Sequence, residues 1–324
     1  MLKRALGLAC IMSVAATSVS AADDYPTRDI RMIVPWAAGG GTDGIVRKIS
    51  DLTEETLDGT MYVENIEGGM SGNGLIQLIN ANADGYTLGA LTYDSVITVP
   101  WQDMLDGYSV DNMDLIARIT SEPDALIVPD DSEYDNFEEL IDAAEESPGE
   151  IRAGIQNMGA RTHLTLLQLM DETGADFKIV SYPGGAAPQK EALLNGEIDF
   201  AITSLGDFSG LIDSGDARGL LEFTDVQSES YQEVPPVTEY DLNVQMGSFI
   251  ILAAPSGTPD AVLEKLENAY QEAFESDEFQ EWLVDVGVTP NWLGRDDVTE
   301  WVKDTQDEIF ATMEELQEEG IIEE

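Results

Sequence analysis

Two glycine-bearing segments have the residue types that let a backbone hold an anion. Pro35-Trp36-Ala37-Ala38-Gly39-Gly40-Gly41-Thr42-Asp43 and Gly154-Ile155-Gln156-Asn157-Met158-Gly159-Ala160-Arg161-Thr162-His163 each leave an apolar run and enter a helical pattern. The first N–H groups of a helix lack internal partners and lie at the positive end of the peptide dipole. Glycine lets a ligand approach that backbone closely, so such a segment binds an anion without a basic side chain. This suits a chain with 15 Lys and Arg against 64 Asp and Glu. Three or four hydrogen bonds to a charged group, at about 1.5–3 kcal/mol each, reach the roughly 8 kcal/mol of a micromolar complex before the costs of binding. One loop alone is weak; two loops closing on one ligand suffice.

Other roles for the same residues stay open at this point. A glycine triplet before a helix also makes a tight turn, and Thr42 or Asp43 also suits a helix cap. His163 is the only histidine and serves packing, capping or a ligand. Arg161 opposes the helix dipole, which calls for a carboxylate partner, either a ligand or one of the many acids of the chain. Gly39-Gly40-Gly41 lacks the continuation of a phosphate loop or a dinucleotide fingerprint. No Gly-x-Ser-x-Gly elbow, metal-binding histidine pair or calcium-loop spacing is present. Neither an enzyme, a cofactor nor a metal is therefore expected.

The elements that position these segments alternate. Strands are expected at 30–34, 61–63, 86–91, 125–128, 151–155, 179–182, 198–202 and 250–253. Helices are expected from Thr42, from Leu75, from Asn136, over 162–172, after Pro183-Gly184-Gly185 as far as Asn195-Gly196, and over 259–274. Alternation of this kind implies an α/β fold with mostly parallel sheets covered by helices, and two such halves fit 324 residues.

Residues 1–21 read as a signal peptide: Lys3-Arg4, an apolar run from Ala5 to Ala16 that includes Cys10, then Val19-Ser20-Ala21. An exported chain with no cysteine after Cys10 has no disulfide and stands on its core. The formal charge of −49 is spread along the whole sequence. Self-repulsion of that size destabilises a compact state in dilute buffer, and molar salt screens it, which points to life in brine. Nucleic acid is disfavoured as a partner because its phosphates are repelled.

With these residues in view, the sequence resembles the extracytoplasmic receptors of tripartite tricarboxylate transporters, the Bug proteins. The landmarks are Tyr25-Pro26, Ile33-Val34-Pro35-Trp36 running into Gly39-Gly40-Gly41-Thr42-Asp43, Val63-Glu64-Asn65, Gly68-Gly69 with Gly72, and Asp84-Gly85-Tyr86-Thr87-Leu88. They continue through Gly159 and His163, Tyr182-Pro183-Gly184-Gly185-Ala186, Leu194-Asn195-Gly196-Glu197-Ile198-Asp199 and Ala254-Pro255-Ser256-Gly257-Thr258-Pro259.

The resemblance implies a two-lobed periplasmic-binding-protein-like clamshell of type II character. Residues 22–124 with 247–324 would form lobe 1, and residues 125–246 lobe 2. It implies capture of a small carboxylate by cleft closure, delivery to the membrane subunits of the transporter, a monomer, and the periplasm of a halophilic bacterium. A sensor that feeds a signalling receptor would use the same closure, and an exported carboxylate-acting enzyme is the more distant alternative. Carried over by position, Ala38, Gly39, Gly40, Thr42 and Asp43 would form the first grip, beside the aromatic wall of Trp36. Gly159, Arg161, Thr162 and His163 would form the second. Thr92 and Asp94 would face the cleft, Tyr182, Gly184 and Gly185 would border it, and Thr203 and Ser204 would line the far side. Arg161 stands where the family has small hydroxyl residues, and Thr203 where it frequently has an acid. That combination would favour a di- or tricarboxylate.

Overall fold

Ile30–Val34 is almost wholly buried and forms β1, the middle of a first sheet. β2 (Met61–Asn65) and β3 (Thr87–Leu91) run parallel to it on either side. In this computed structural model, residues 24–182, 186–224, 228 and 230–318 are described. The signal-peptide expectation over 1–21, and Gly184 and Gly185, lie outside them.

β4 (Met113–Pro129) ties the molecule together. Its 17 residues join two sheets. As far as Pro123 it pairs antiparallel with β9 (Gly247–Pro255), which in turn borders β3. From Asp124 it pairs instead with β7 (Phe200–Ser204) and β8 (Ala217–Glu222). Beyond β7 lie β5 (Arg152–Ile155) and β6 (Lys178–Ser181), both parallel. β10 (Thr289–Leu293) covers the other edge of the first half of β4. The sheets are therefore mixed rather than mostly parallel: β4 and β9 run against their neighbours, an arrangement that local apolar runs do not encode.

Helices cover both faces. α1 (Gly41–Leu57), α2 (Gly72–Ile79), α3 (Phe137–Glu146), α4 (Arg161–Thr173) and α5 (Ala186–Leu194) each follow a strand or a loop leaving one. α6 (Leu205–Ser214), α7 (Asp260–Phe274), α8 (Asp277–Asp285) and α9 (Arg295–Glu318) are the other long ones among the described residues. The first sheet has one apolar core against α1 and α7, around Ile30, Ile49, Leu252 and Tyr270, and another on its opposite face. The second sheet is likewise packed on both faces. No described helix is long and apolar enough to cross a membrane.

The lobes also touch away from the shared strands. Gln102 donates from Nε2 to the Gly159 carbonyl at 3.2 Å. Gly206, at the start of α6, packs so tightly that an added Cβ would lie 2.7 Å from the Gly287 carbonyl oxygen.

Candidate functional site

The two glycine segments fold into the same device. In the first, Gly39 has φ +82°, a conformation open to glycine at little cost. Its N–H donates to Asp43 Oδ2 at 2.8 Å. In the second, Gly159 has φ +74°, and its N–H donates to His163 Nδ1 at 3.0 Å. Each glycine thus stands two residues before its helix and is locked by a side chain four residues on, in the first turn. Neither α1 nor α4 has a side-chain cap at its N-cap residue, Gly40 or Ala160. The His163 N–H turns back to the Ala160 carbonyl at 3.0 Å; among the described residues no side chain caps the N–H groups of Gly41, Thr42, Arg161 and Thr162, which are open to an outside acceptor. Ala38 through Gly41 are exposed.

Each lock is itself held. Asp43 is buried; Oδ1 accepts from Asn65 Nδ2 at 2.9 Å and pairs with Arg47 at 2.9 Å. Asn65 also reaches the Trp36 carbonyl at 3.0 Å, so one amide fixes both ends of the first loop. Burial pushes the Asp43 carboxyl up, but Arg47, the Gly39 N–H and Asn65 outweigh it and hold it below its ordinary value. His163 is buried, which pushes its pKa down. With Nδ1 accepting, the ring is neutral and its proton is on Nε2. Thr162 Oγ1 accepts from the Gln156 N–H at 3.0 Å and closes the second loop.

Side chains between the loops join them. Trp36 Nε1 donates to Thr92 Oγ1 at 3.2 Å. Two residues on, Asp94 opens a π-helical turn, Asp94–Thr98, and accepts from Thr98 Oγ1 at 2.7 Å. Burial raises the Asp94 pKa, and the charge of Arg161 across the interface partly offsets it. Trp36 is thus bonded to Thr92, and Asp94, two residues on, feels the charge of Arg161 from the second loop. On the far side, Thr203 Oγ1 donates to Asp207 Oδ2 at 2.8 Å and accepts from Gln156 Nε2 at 3.2 Å. Ser204 caps α6 by accepting from the Asp207 N–H at 3.1 Å.

Three of the expected site residues are engaged by acids of the chain itself. Arg161 forms an ion pair with the fully buried Asp124, whose other oxygen accepts from Thr165 at 2.6 Å. Its charge is thus met inside the protein, at the strand position where β4 passes between sheets. The acid lost at Thr203 reappears one helical turn later as Asp207, bonded to Thr203 itself. Burial, then Asp207, push Glu122 up to about 7, with Arg161 and Thr120 opposing. Tyr182 does not join the cluster: it is set against Glu197, and burial followed by that carboxylate raises its phenol. Sequence reasoning gave no role to Asn65, Gln102, Asp124, Gln156 or Asp207. Asn65 had a signal as part of Val63-Glu64-Asn65, and Gln156 as part of the second glycine segment.

Comparison with known proteins gives the family and the fold. The family model described as "Tripartite tricarboxylate transporter family receptor" matches residues 45–317. A relative from Cupriavidus necator, "UPF0065 protein in gbd 5'region", is 26% identical over 313 residues, covering 96% of this chain and 93% of the relative. A Rhodopseudomonas palustris protein solved with adipate superposes with TM-score 0.80 at 24% identity, over 89% of this chain and 98% of that one. The MatC protein of the same organism, solved with bound malate, gives TM-score 0.75 at 21% identity, over 88% and 98%. At these identities the two structures establish the two-lobed fold.

Proposed function

The chain belongs to the tripartite tricarboxylate transporter receptor family, and from that premise we propose that it captures a small organic acid between its lobes and presents it to the membrane subunits of such a transporter. The observation that supports this most is the matched pair of locked glycine loops, each ending in a helix whose first N–H groups no side chain caps. Two such ends around one carboxylate supply several charge-assisted hydrogen bonds with no basic residue spent on the ligand. No bond is made or broken; the work is closure. Residues 22–124 with 247–324 move against residues 125–246 about the crossing strands, and the periplasm is the setting.

The ligand class follows from charge. Asp94, Glu122 and Asp124 stand around Arg161, with Asp207 beside Glu122, so the interior favours an acid with one or two carboxylates over one with three. The two solved neighbours hold a dicarboxylate each, malate and adipate, and those are the first compounds to try. Gly41 tests the reading. Its φ is ordinary and an added Cβ meets nothing within 4 Å, so Gly41→Phe fills the first loop without backbone strain. Calorimetry on a panel of mono-, di- and tricarboxylates should find a saturable ligand for the wild type that Gly41→Phe weakens by about a hundredfold, a loss of roughly 2.7 kcal/mol. A panel with no ligand, or a ligand that Gly41→Phe still binds fully, would refute the proposal.

A further inference from the structure

A cavity of about 560 Å³ is lined by neither glycine loop. It draws on some of the same elements, and only Pro123 and Asp124, neighbours on β4, face apart by strand alternation. Tyr93 lines it, between Thr92 and Asp94 of the site above; Pro123 lines it, beside Asp124; Gln168 lines it, two turns along α4 from Arg161. Neighbouring residues of a strand point to opposite faces. Arg118 reaches this face through a bulge. It pairs with Ile251 while Thr120 pairs with Ile250, so one extra residue of β4 is absorbed there. The phase shift puts Arg118 on the same side as Ser121 and Pro123, which also line the cavity.

Arg118 is unlike the other arginines. Arg28, Arg31, Arg47, Arg152, Arg161 and Arg295 all pair with carboxylates, and Arg218 donates to two carbonyls. Arg118 is 8% exposed and pairs with no carboxylate among the described residues, in a chain with 64 acids. Its guanidinium lies over Trp301, 4.2 Å from the ring centre, and donates from one Nη to Asn291. Its Nε is buried with no hydrogen-bond partner, and so is the hydroxyl of Tyr93, which is 2% exposed. Burial pushes Arg118 down to about 10, so it stays charged at neutral pH. Two unpartnered buried donors, one charged, line one cavity of a size ordinary for small ligands.

We infer that this cavity is a second binding site, for a small monocarboxylate with an apolar body, its carboxylate received by Arg118 and Tyr93. Phe249, Ile309 and Leu316 supply apolar lining. The exposed acids Asp171, Glu172 and Glu308, which also line it, select against a second negative charge. The site shares no ligand-contacting residue with the one between the glycine loops and stands or falls apart from it.

Sodium benzoate is the probe, titrated by calorimetry into the full chain at one fixed NaCl concentration. The wild type should bind it at one site. Arg118→Gln removes the charge and Tyr93→Phe only the hydroxyl; each should weaken binding by about tenfold or more. Tyr93→Phe deletes a group with no partner, so its melting temperature should equal or exceed the wild-type value, which separates lost binding from lost fold. Thr305→Glu, one turn after Trp301 on α9, brings a carboxylate of the protein's own to the cavity and should abolish binding in a folded protein. Gly41→Phe should bind benzoate as the wild type does. The inference is overturned if the wild type does not bind benzoate, if Arg118→Gln, Tyr93→Phe and Thr305→Glu all bind it normally, or if Gly41→Phe abolishes binding.

Discussion

Asp43 and His163 are different side chains in one role: each accepts the N–H of a left-handed glycine four residues earlier and so shapes the loop before its helix. Both residues were legible in the sequence as members of glycine segments, yet their role was not. The bond depends on a backbone turn that residue types alone do not fix. Because His163 must accept at Nδ1, the second loop depends on a neutral ring. Burial puts its folded pKa below the usual 6.5. The unfolded chain therefore takes up a proton that the folded chain resists, and this contribution to stability is present above pH 6.5 and lost as pH falls below it. Affinity for the captured acid should fall over the same interval in the wild type. His163→Phe, which has no acceptor, should bind about tenfold more weakly at pH 8 and lose about 1 kcal/mol of stability. Calorimetry from pH 5 to 8 checks both; equal affinities for the two proteins at every pH would remove the lock from the account.

At the scale of elements, the central feature is β4, and it was only a quarter visible. Ala125–Val128 reads as a strand because it is a short apolar run. The preceding Thr120-Ser121-Glu122-Pro123-Asp124 has no apolar run to mark it as strand. It is strand all the same, since β9 pairs with it as far as Pro123 and the second sheet takes over at Asp124. The proline falls where the ladder changes partners. α1, α3, α4 and α7 were legible because a cap, a proline or a glycine marks an end. The chain from 275 to 318 was not, because its helices and β10 gain order by packing on α7 and the first sheet. The Asp124–Arg161 pair clamps α4 to this crossing strand. Asp124→Asn leaves a buried guanidinium without its counter-charge and should cost about 3–5 kcal/mol. Replacing both partners by Leu and Met should recover much of that loss. Urea unfolding measures both, and a cost below about 1 kcal/mol for Asp124→Asn would show the pair to be screened by solvent.

For the whole molecule, charge dominates. Among the described residues six of the seven ion pairs are at least partly open to solvent, and 15 Lys and Arg leave most of the 64 acids without a cation. Such repulsion is exposed and distributed, so the melting temperature should keep rising from about 0.15 M to molar NaCl, where the screening length shrinks to about 3 Å. A flat profile would argue against a brine habitat. The same shortage of cations explains why capture is assigned to backbone N–H groups. Amide-resolved NMR, with the organic acid that calorimetry selects, tests that assignment most directly. The N–H resonances of Gly41, Thr42, Arg161 and Thr162 should shift together and saturate at one ligand per chain. A ligand that saturates the protein while those four amides stay still would contradict it.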